Sequence, residues 1–120
     1  MNGRRKILVV DDDMQIRTMV RTVLERAGYD VTTARDGREA ISLLAAGDYD
    51  VILLDVMMPN VDGLEVVDEL RKANSPTLAH TYLLTAGKSD ALLNLPVRGI
   101  INKPFDIHAL VAETKDCIGH

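Results

Sequence analysis

The chain has 120 residues, 47% of them apolar and 27% charged, with a net charge of −4. This length holds one domain with a real core, and the negative balance argues against a nucleic-acid surface, which needs a basic stripe. The single cysteine, Cys117, rules out an internal disulfide. No apolar run reaches membrane-spanning length, and Arg4-Arg5-Lys6 precedes only four apolar residues, too few for a signal peptide. Residues 1–120 therefore read as one cytoplasmic domain with no membrane or direct nucleic-acid partner.

The pattern alternates along the chain. Ile7, Leu8, Val9 and Val10 form a short branched apolar run, as a strand covered on both faces requires, and Asp11, Asp12 and Asp13 follow it. Ile16, Met19, Val20, Val23, Leu24 and Ala27 mark one helical face that Gly28 stops, with Asp13 as its N-cap. Residues 30–34 read as a second strand. Ala40, Ile41 and Leu44 mark a second helix that stops near Gly47. Val51, Ile52, Leu53 and Leu54 form a third strand ending at Asp55. After a turn containing Met57, Pro59 and Gly63, a third helical face runs through Leu64, Val67 and Leu70. Tyr82, Leu83 and Leu84 read as strand four and residues 99–102 as strand five. Asp106 caps a last helix with Leu110, Val111, Thr114, Cys117 and Ile118 inward. Between strands four and five only residues 90–95 have room to coil, and Pro96 ends them, so the fourth helix should be short or irregular. Alternating β and α units predict a five-stranded parallel sheet with helices on both faces. The ligand site of such a sheet lies beyond the carboxyl ends of its strands.

The chemistry-bearing residues fall at those ends: Asp11 and Asp12 after strand one, Asp55 at strand three, Thr85 at strand four and Lys103 after strand five. Taken singly each has a plain explanation. Aspartates after strands are commonly turn formers and helix caps, Thr85 a capping hydroxyl, Lys103 a solvated lysine. Together they suit phosphoryl transfer to a carboxylate. Clustered carboxylates repel, by on the order of 4 kcal/mol for two charges about 4 Å apart at an effective dielectric of 20. Oxygen-only donors point to a hard cation such as Mg²⁺. Asp55 would be the nucleophile, Asp11 and Asp12 would hold the ion, Lys103 would add a positive point charge, and Thr85 would donate a hydrogen bond to a phosphoryl oxygen. His80, His108 and His120 are scattered, and no His/Cys spacing marks a zinc site.

Four stretches in this order, ILVVDDD (7–13), VILLDVMMPNVDG (51–63), LLTA (83–86) and NKPF (102–105), resemble the response-regulator receiver domains of two-component signalling, and are similar to the bacterial chemotaxis regulator. The resemblance covers essentially the whole chain. It implies the flavodoxin-like fold of receiver type, with Asp55 accepting phosphate from a histidine kinase or phosphotransfer protein. It further implies a metal site of Asp11, Asp12, Asp55 and the backbone carbonyl of Met57, with Asp12 the more direct ligand of the acidic pair. Thr85 falls at the switch hydroxyl and Lys103 at the phosphate-contacting lysine. No organic cofactor is expected. Two positions depart from the family pattern. Ile100 stands where the family often has an aromatic residue that moves with the switch hydroxyl, and the stretch between Thr85 and Lys103 is a few residues short. Phosphorylation is therefore expected to reorder residues 87–96 while strand five stays in place.

The function expected is a phosphorylatable receiver that signals by protein contact with an unidentified downstream protein. As the chain begins at Met1 and ends with its last helix, it reads as a single-domain regulator; the other readings are the receiver of a longer transcriptional regulator and a pseudo-receiver that binds partners without using phosphate. A Mg²⁺-dependent phosphatase with an aspartyl nucleophile would carry an acid two residues after Asp55. Met57 stands there and cannot transfer a proton, so the chain is not expected to be an enzyme beyond its own phosphorylation and slow autodephosphorylation.

Overall fold

A computed structural model describes residues 4–58, 62–86 and 94–118. It contains the strands β1 (Lys6–Val10), β2 (Asp30–Ala34), β3 (Val51–Asp55), β4 (Thr81–Thr85) and β5 (Gly99–Asn102). The described helices are α1 (Met14–Arg26), α2 (Gly37–Ala46), α3 (Gly63–Lys72) and α4 (Ile107–Ile118), with a 3-10 helix over Pro76–His80. All strand pairs are parallel, in the order β2-β1-β3-β4-β5. The chain leaves β1 toward β2 on one side and returns to β3 on the other. The reversal opens a crevice at the carboxyl ends of β1 and β3.

Strand periodicity splits the core in two. Successive side chains leave a strand on opposite faces, so each continuous apolar run feeds both layers. Leu8, Val10, Ile52, Leu54 and Leu83 pack with Ala40, Val66, Val67 and Leu70 of α2 and α3. Ile7, Val9, Val51, Leu53, Tyr82 and Leu84 pack with Val20, Leu24 and Leu110 of α1 and α4. Every side chain of β3 and β4 is buried, as expected for central strands of a sheet covered on both faces.

Helix starts follow local hydrogen-bond chemistry. Asp13 accepts from the Gln15 and Ile16 amides at 2.8 and 3.2 Å, Asp36 from Glu39 at 2.8 Å, Asp62 from Glu65 at 3.0 Å and Asp106 from His108 at 2.8 Å. Each satisfies an amide that the first helical turn leaves unpaired. Glu39 also accepts from the Arg35 amide at 2.8 Å, closing a reciprocal cap at α2. Gly28 ends α1 at φ +100°, a left-handed conformation that a side chain would disfavour.

Several helical positions differ from the sequence expectation. Leu64 is 41% exposed and Val66 takes its place in the core, because α3 begins at Gly63 and turns Val66, Val67 and Leu70 to the sheet. Met19 of α1 and Ala27, its C-cap, are also exposed. The Pro76–His80 turn had no apolar period to announce it. Most of residues 90–95 lies outside the described residues; Asn94 and Leu95 form a turn and a bend, not helix.

Gly63 sits hard against the backbone at the end of β3. A Cβ there would run into the Asp55 carbonyl oxygen and come within 2.8 Å of the Val56 Cα. The Gly63 amide donates to the Val56 carbonyl at 3.1 Å, so α3 starts directly against the end of β3. Gly63→Ala should lower stability in urea unfolding by on the order of 1–3 kcal/mol, since backbone rather than a movable side chain must yield. Gly47→Ala, where a Cβ meets nothing within 4 Å, is the control; equal losses at the two positions would refute the packing argument.

Candidate phosphoryl-transfer site

Main-chain hydrogen bonds fix the four carriers of the site. The Asp11 amide donates to the Ala34 carbonyl of β2 at 3.1 Å, and the Val56 amide to Leu84 of β4 at 3.0 Å. The Lys103 amide donates to the Thr85 carbonyl at 2.7 Å, which continues the β4–β5 ladder one residue past Asn102 and aims the lysine back across the sheet edge. Each strand end is thus tied to its neighbour before any side chain acts.

The side chains then converge. Lys103 Nζ donates to Asp11 Oδ2 at 2.8 Å and lies 3.4 Å from Asp55 Oδ2. Asp11 and Asp55 are buried. Asp11 Oδ1 accepts the Asp13 amide at 2.9 Å, and Asp55 Oδ1 accepts the Met57 amide at 3.2 Å. Both oxygens of Asp11 are therefore engaged, while Asp12 is exposed at the mouth. Thr85 is buried at the end of β4 and Met57 is 72% exposed. The structure brings Asp11, Asp12, Asp55 and Lys103 to one place and sets Thr85 and Met57 at its border.

The electrostatics follow from burial. Desolvation raises the Asp55 pKa to about 6, and the charge of Asp11 adds to the rise; Lys103 and the Met57 amide oppose it. Burial also works against the Lys103 charge, but its hydrogen bond to Asp11 and the charges of Asp11 and Asp55 outweigh that, and its pKa is raised. The ammonium stays protonated and partly neutralises the pair.

One oxygen from each of Asp11, Asp12 and Asp55 lies within 4.8 Å of the others. Adjacent ligands of an octahedral Mg²⁺ sit about 3 Å apart and opposite ones about 4 Å, so the three carboxylates fit such an ion with a small closing movement. Their all-oxygen chemistry suits a hard cation rather than a thiophilic one.

Two contributors escaped the sequence reading. Arg17 Nη1 donates to the Asp11 carbonyl at 2.8 Å, pinning the β1–α1 loop from the first turns of α1; an arginine four residues after the Asp13 cap was the signal. Gly63 first read as a turn former, but it allows α3 to abut Asp55. A glycine directly after the Asp62 cap, where a helix gains nothing from it, was the cue.

Comparison with known proteins agrees with this geometry. A family model described as the response regulator receiver domain matches residues 7–115. The response regulator MprA of Mycolicibacterium vanbaalenii is 40% identical over 112 residues, which cover 92% of this chain and 48% of that protein. The chain spans about half the length of the curated relatives it matches. The receiver domain of the Francisella response regulator 1452 superposes with a TM-score of 0.88 at 35% identity, over 96% of this chain and 97% of that one. TrrA of Thermotoga maritima, solved in complex with Mg²⁺ and BeF, gives a TM-score of 0.83 at 35% identity, over 94% and 98% of the two chains.

The raised Asp55 pKa has a consequence for stability. Between its ordinary value near 4 and about 6, the folded chain holds a proton that the unfolded chain has lost. Stability of the metal-free protein therefore falls as pH rises through that window. Asp55→Asn removes the penalty. It should raise stability at pH 7.5 by on the order of 1–2 kcal/mol, less than the full shift because solvent at the open edge screens it. The gain should vanish by pH 4. Urea unfolding at the two pH values measures it, and a gain independent of pH would contradict the electrostatic cause.

Proposed function

The chain belongs to the response-regulator receiver domains of two-component systems, and on that premise we propose that it accepts a phosphoryl group on Asp55 with Mg²⁺ bound. The observation that carries this reading is the Lys103 ammonium placed between two buried carboxylates, 2.8 Å from Asp11 and 3.4 Å from Asp55. A lysine held so has one obvious service: it is already positioned where negative charge builds when Asp55 is phosphorylated.

Each residue has a distinct part. Asp55 Oδ attacks phosphorus in line, forming the O–P bond as the bond to the donor nitrogen or oxygen breaks. Asp12, with the freer carboxylate, and Asp55 would hold the ion, together with the backbone carbonyl of Met57. Asp11 assists, directly or through water, because its own oxygens serve Lys103 and the Asp13 amide. When bound, the ion would supply positive charge that offsets the phosphoryl oxygens and the three carboxylates. Lys103 can then follow the transferred charge, and Thr85 donates its hydroxyl to a phosphoryl oxygen. The chain performs its own phosphorylation and slow dephosphorylation and no other turnover.

The donor is a histidine kinase or phosphotransfer protein within a phosphorelay, and the location is cytoplasmic. A groove of about 330 Å³ lined by Lys103 with Ile16, Met19, Ala86, Pro104 and Phe105 is an apolar landing beside the lysine of the site. Among the described residues no helix is long and apolar enough to cross a membrane. Readout passes by protein contact to a downstream protein, without direct nucleic-acid binding by this domain. With Ile100, half-buried on β5, at the position where the family often has an aromatic, phosphorylation acts through the segment after Thr85, most of which lies outside the described residues.

Incubation with acetyl phosphate and Mg²⁺, followed by intact mass, tests the assignment. The parent should gain one phosphoryl group and Asp55→Asn none. Asp12→Ala should lose both Mg²⁺ affinity and phosphorylation. A gain that survives Asp55→Asn would sink the proposal, and no gain in the parent would favour a pseudo-receiver.

Release of phosphate should be slow. Water must approach Asp55 in line and be polarised by a neighbour, and the exposed Met57 side chain at the mouth has no group to do so. Met57→Asn should speed loss of the label several-fold in a decay time course after donor removal; an unchanged or slower decay would count against this account.

A further inference from the structure

Among the described residues four large apolar side chains are exposed, and three of them are methionines: Met14, Met19 and Met57. All three gather toward the carboxyl edge of the sheet. Met14 opens α1 two residues after Asp12, Met19 lines the groove beside Lys103, and Met57 follows Asp55 by two residues. Met57 is the most exposed of them, at 72%. Its neighbour Met58 instead packs against the core layer of α2 and α3. The backbone of Met57 is tied to the site, because its amide donates to Asp55 Oδ1 at 3.2 Å. The fold thus holds a thioether in solvent at the mouth of the site, and nothing in the transfer chemistry uses its sulfur.

We propose that Met57 is a reversible oxidation site whose sulfoxide shortens the life of the phosphate on Asp55. The inference rests on the receiver reading and adds a regulation to it. The oxidant is a hydroperoxide. The sulfur lone pair attacks the terminal peroxide oxygen, and the S–O bond forms as the O–O bond breaks. The proton on the transferred oxygen passes to the departing oxygen, giving an alcohol, or water when the oxidant is hydrogen peroxide. Sulfur is oxidised by two electrons and the peroxide is reduced by two. A thioether keeps its lone pairs at every pH, so exposure rather than ionisation sets its access to the oxidant.

The product differs from the parent side chain where hydrolysis needs it. A thioether sulfur is a weak acceptor, whereas oxidation turns the side chain polar and adds an oxygen that accepts hydrogen bonds well. Water attacking the phosphorus must shed a proton, and an acceptor beside its path polarises it. The oxidised side chain supplies at the mouth the group that Met57 lacks. Met14 and Met19 belong to α1 and do not follow the reacting carboxylate, so their oxidation leaves the lifetime as it was.

The test treats the protein with dilute hydrogen peroxide and then with a thiol reductant, which reverses sulfenic acid at the half-buried Cys117 but not methionine sulfoxide. Peptide mass should find one added oxygen on Met57 and little on Met58. After phosphorylation by acetyl phosphate with Mg²⁺ and removal of the donor, the oxidised protein should lose the phosphoryl group several-fold faster than the untreated one. Methionine sulfoxide reductases should restore the slow decay. Met57→Leu should decay at one rate with or without peroxide, and Met14→Leu should keep the peroxide effect. No oxygen on Met57, equal or slower decay in the oxidised protein, no phosphoryl uptake by it, or a peroxide effect that survives in Met57→Leu would each overturn the inference and leave the receiver reading standing. A protein that takes no phosphoryl group in either state would overturn the receiver reading and this inference with it.

Discussion

Two carboxylates, Asp11 and Asp55, are buried at one edge of the sheet with a single ammonium between them, and the rest of the structure serves that arrangement. Burying like charges is costly, and a lysine shared between them recovers part of the cost without removing it, which is why Asp55 stays well above the ordinary carboxylate range. A buried ion pair of this kind is weak evidence for stability. It is better evidence for a site in which burial and like charge are held against each other. The tension is local: four strands end at the same edge, and each end is tied to a neighbour by a main-chain hydrogen bond.

The sheet makes that tension bearable. β3 and β4 are buried along their whole length, and the two core layers grip alternate side chains of the same strands. A strand so held cannot rotate to carry its terminal carboxylate to water. The loops after the strands are equally constrained: Asp13 caps α1 while its amide holds Asp11, and Gly63 lets α3 begin against Asp55. Caps and site are the same residues or immediate neighbours, so the local chemistry that starts each helix also aims the functional groups.

The chain spans about half the length of the curated relatives it matches, whereas it coincides almost end to end with solved receiver domains. The chain thus carries the fold of a whole receiver domain, and three of its surfaces stand out. Those surfaces differ from one another: an apolar groove beside Lys103, a small apolar cleft between α2 and α3, and a polar cavity at the amino ends of the strands. Of these three, the first is the one lined by Lys103.

The fold class and most of the site were legible in the residue order because both rest on local periodicities. Runs of branched residues ending in acids place carboxylates at strand ends wherever the strands go, and Asp13 and Asp106 declare helix starts through bonds that span two or three residues. Leu64 shows the limit of that reasoning. Its apolar character made it a core candidate, yet the close approach of Gly63 to the β3 backbone set the helix phase and left it outside. The tertiary structure alone decided which acid pairs with Lys103, a contact across 92 residues, and that both oxygens of Asp11 are engaged while Asp12 is exposed. The reason is physical: periodicity fixes the face and the end a residue occupies, but distances between groups on different elements are set by how the layers pack, and charge pairing and metal geometry depend on distances.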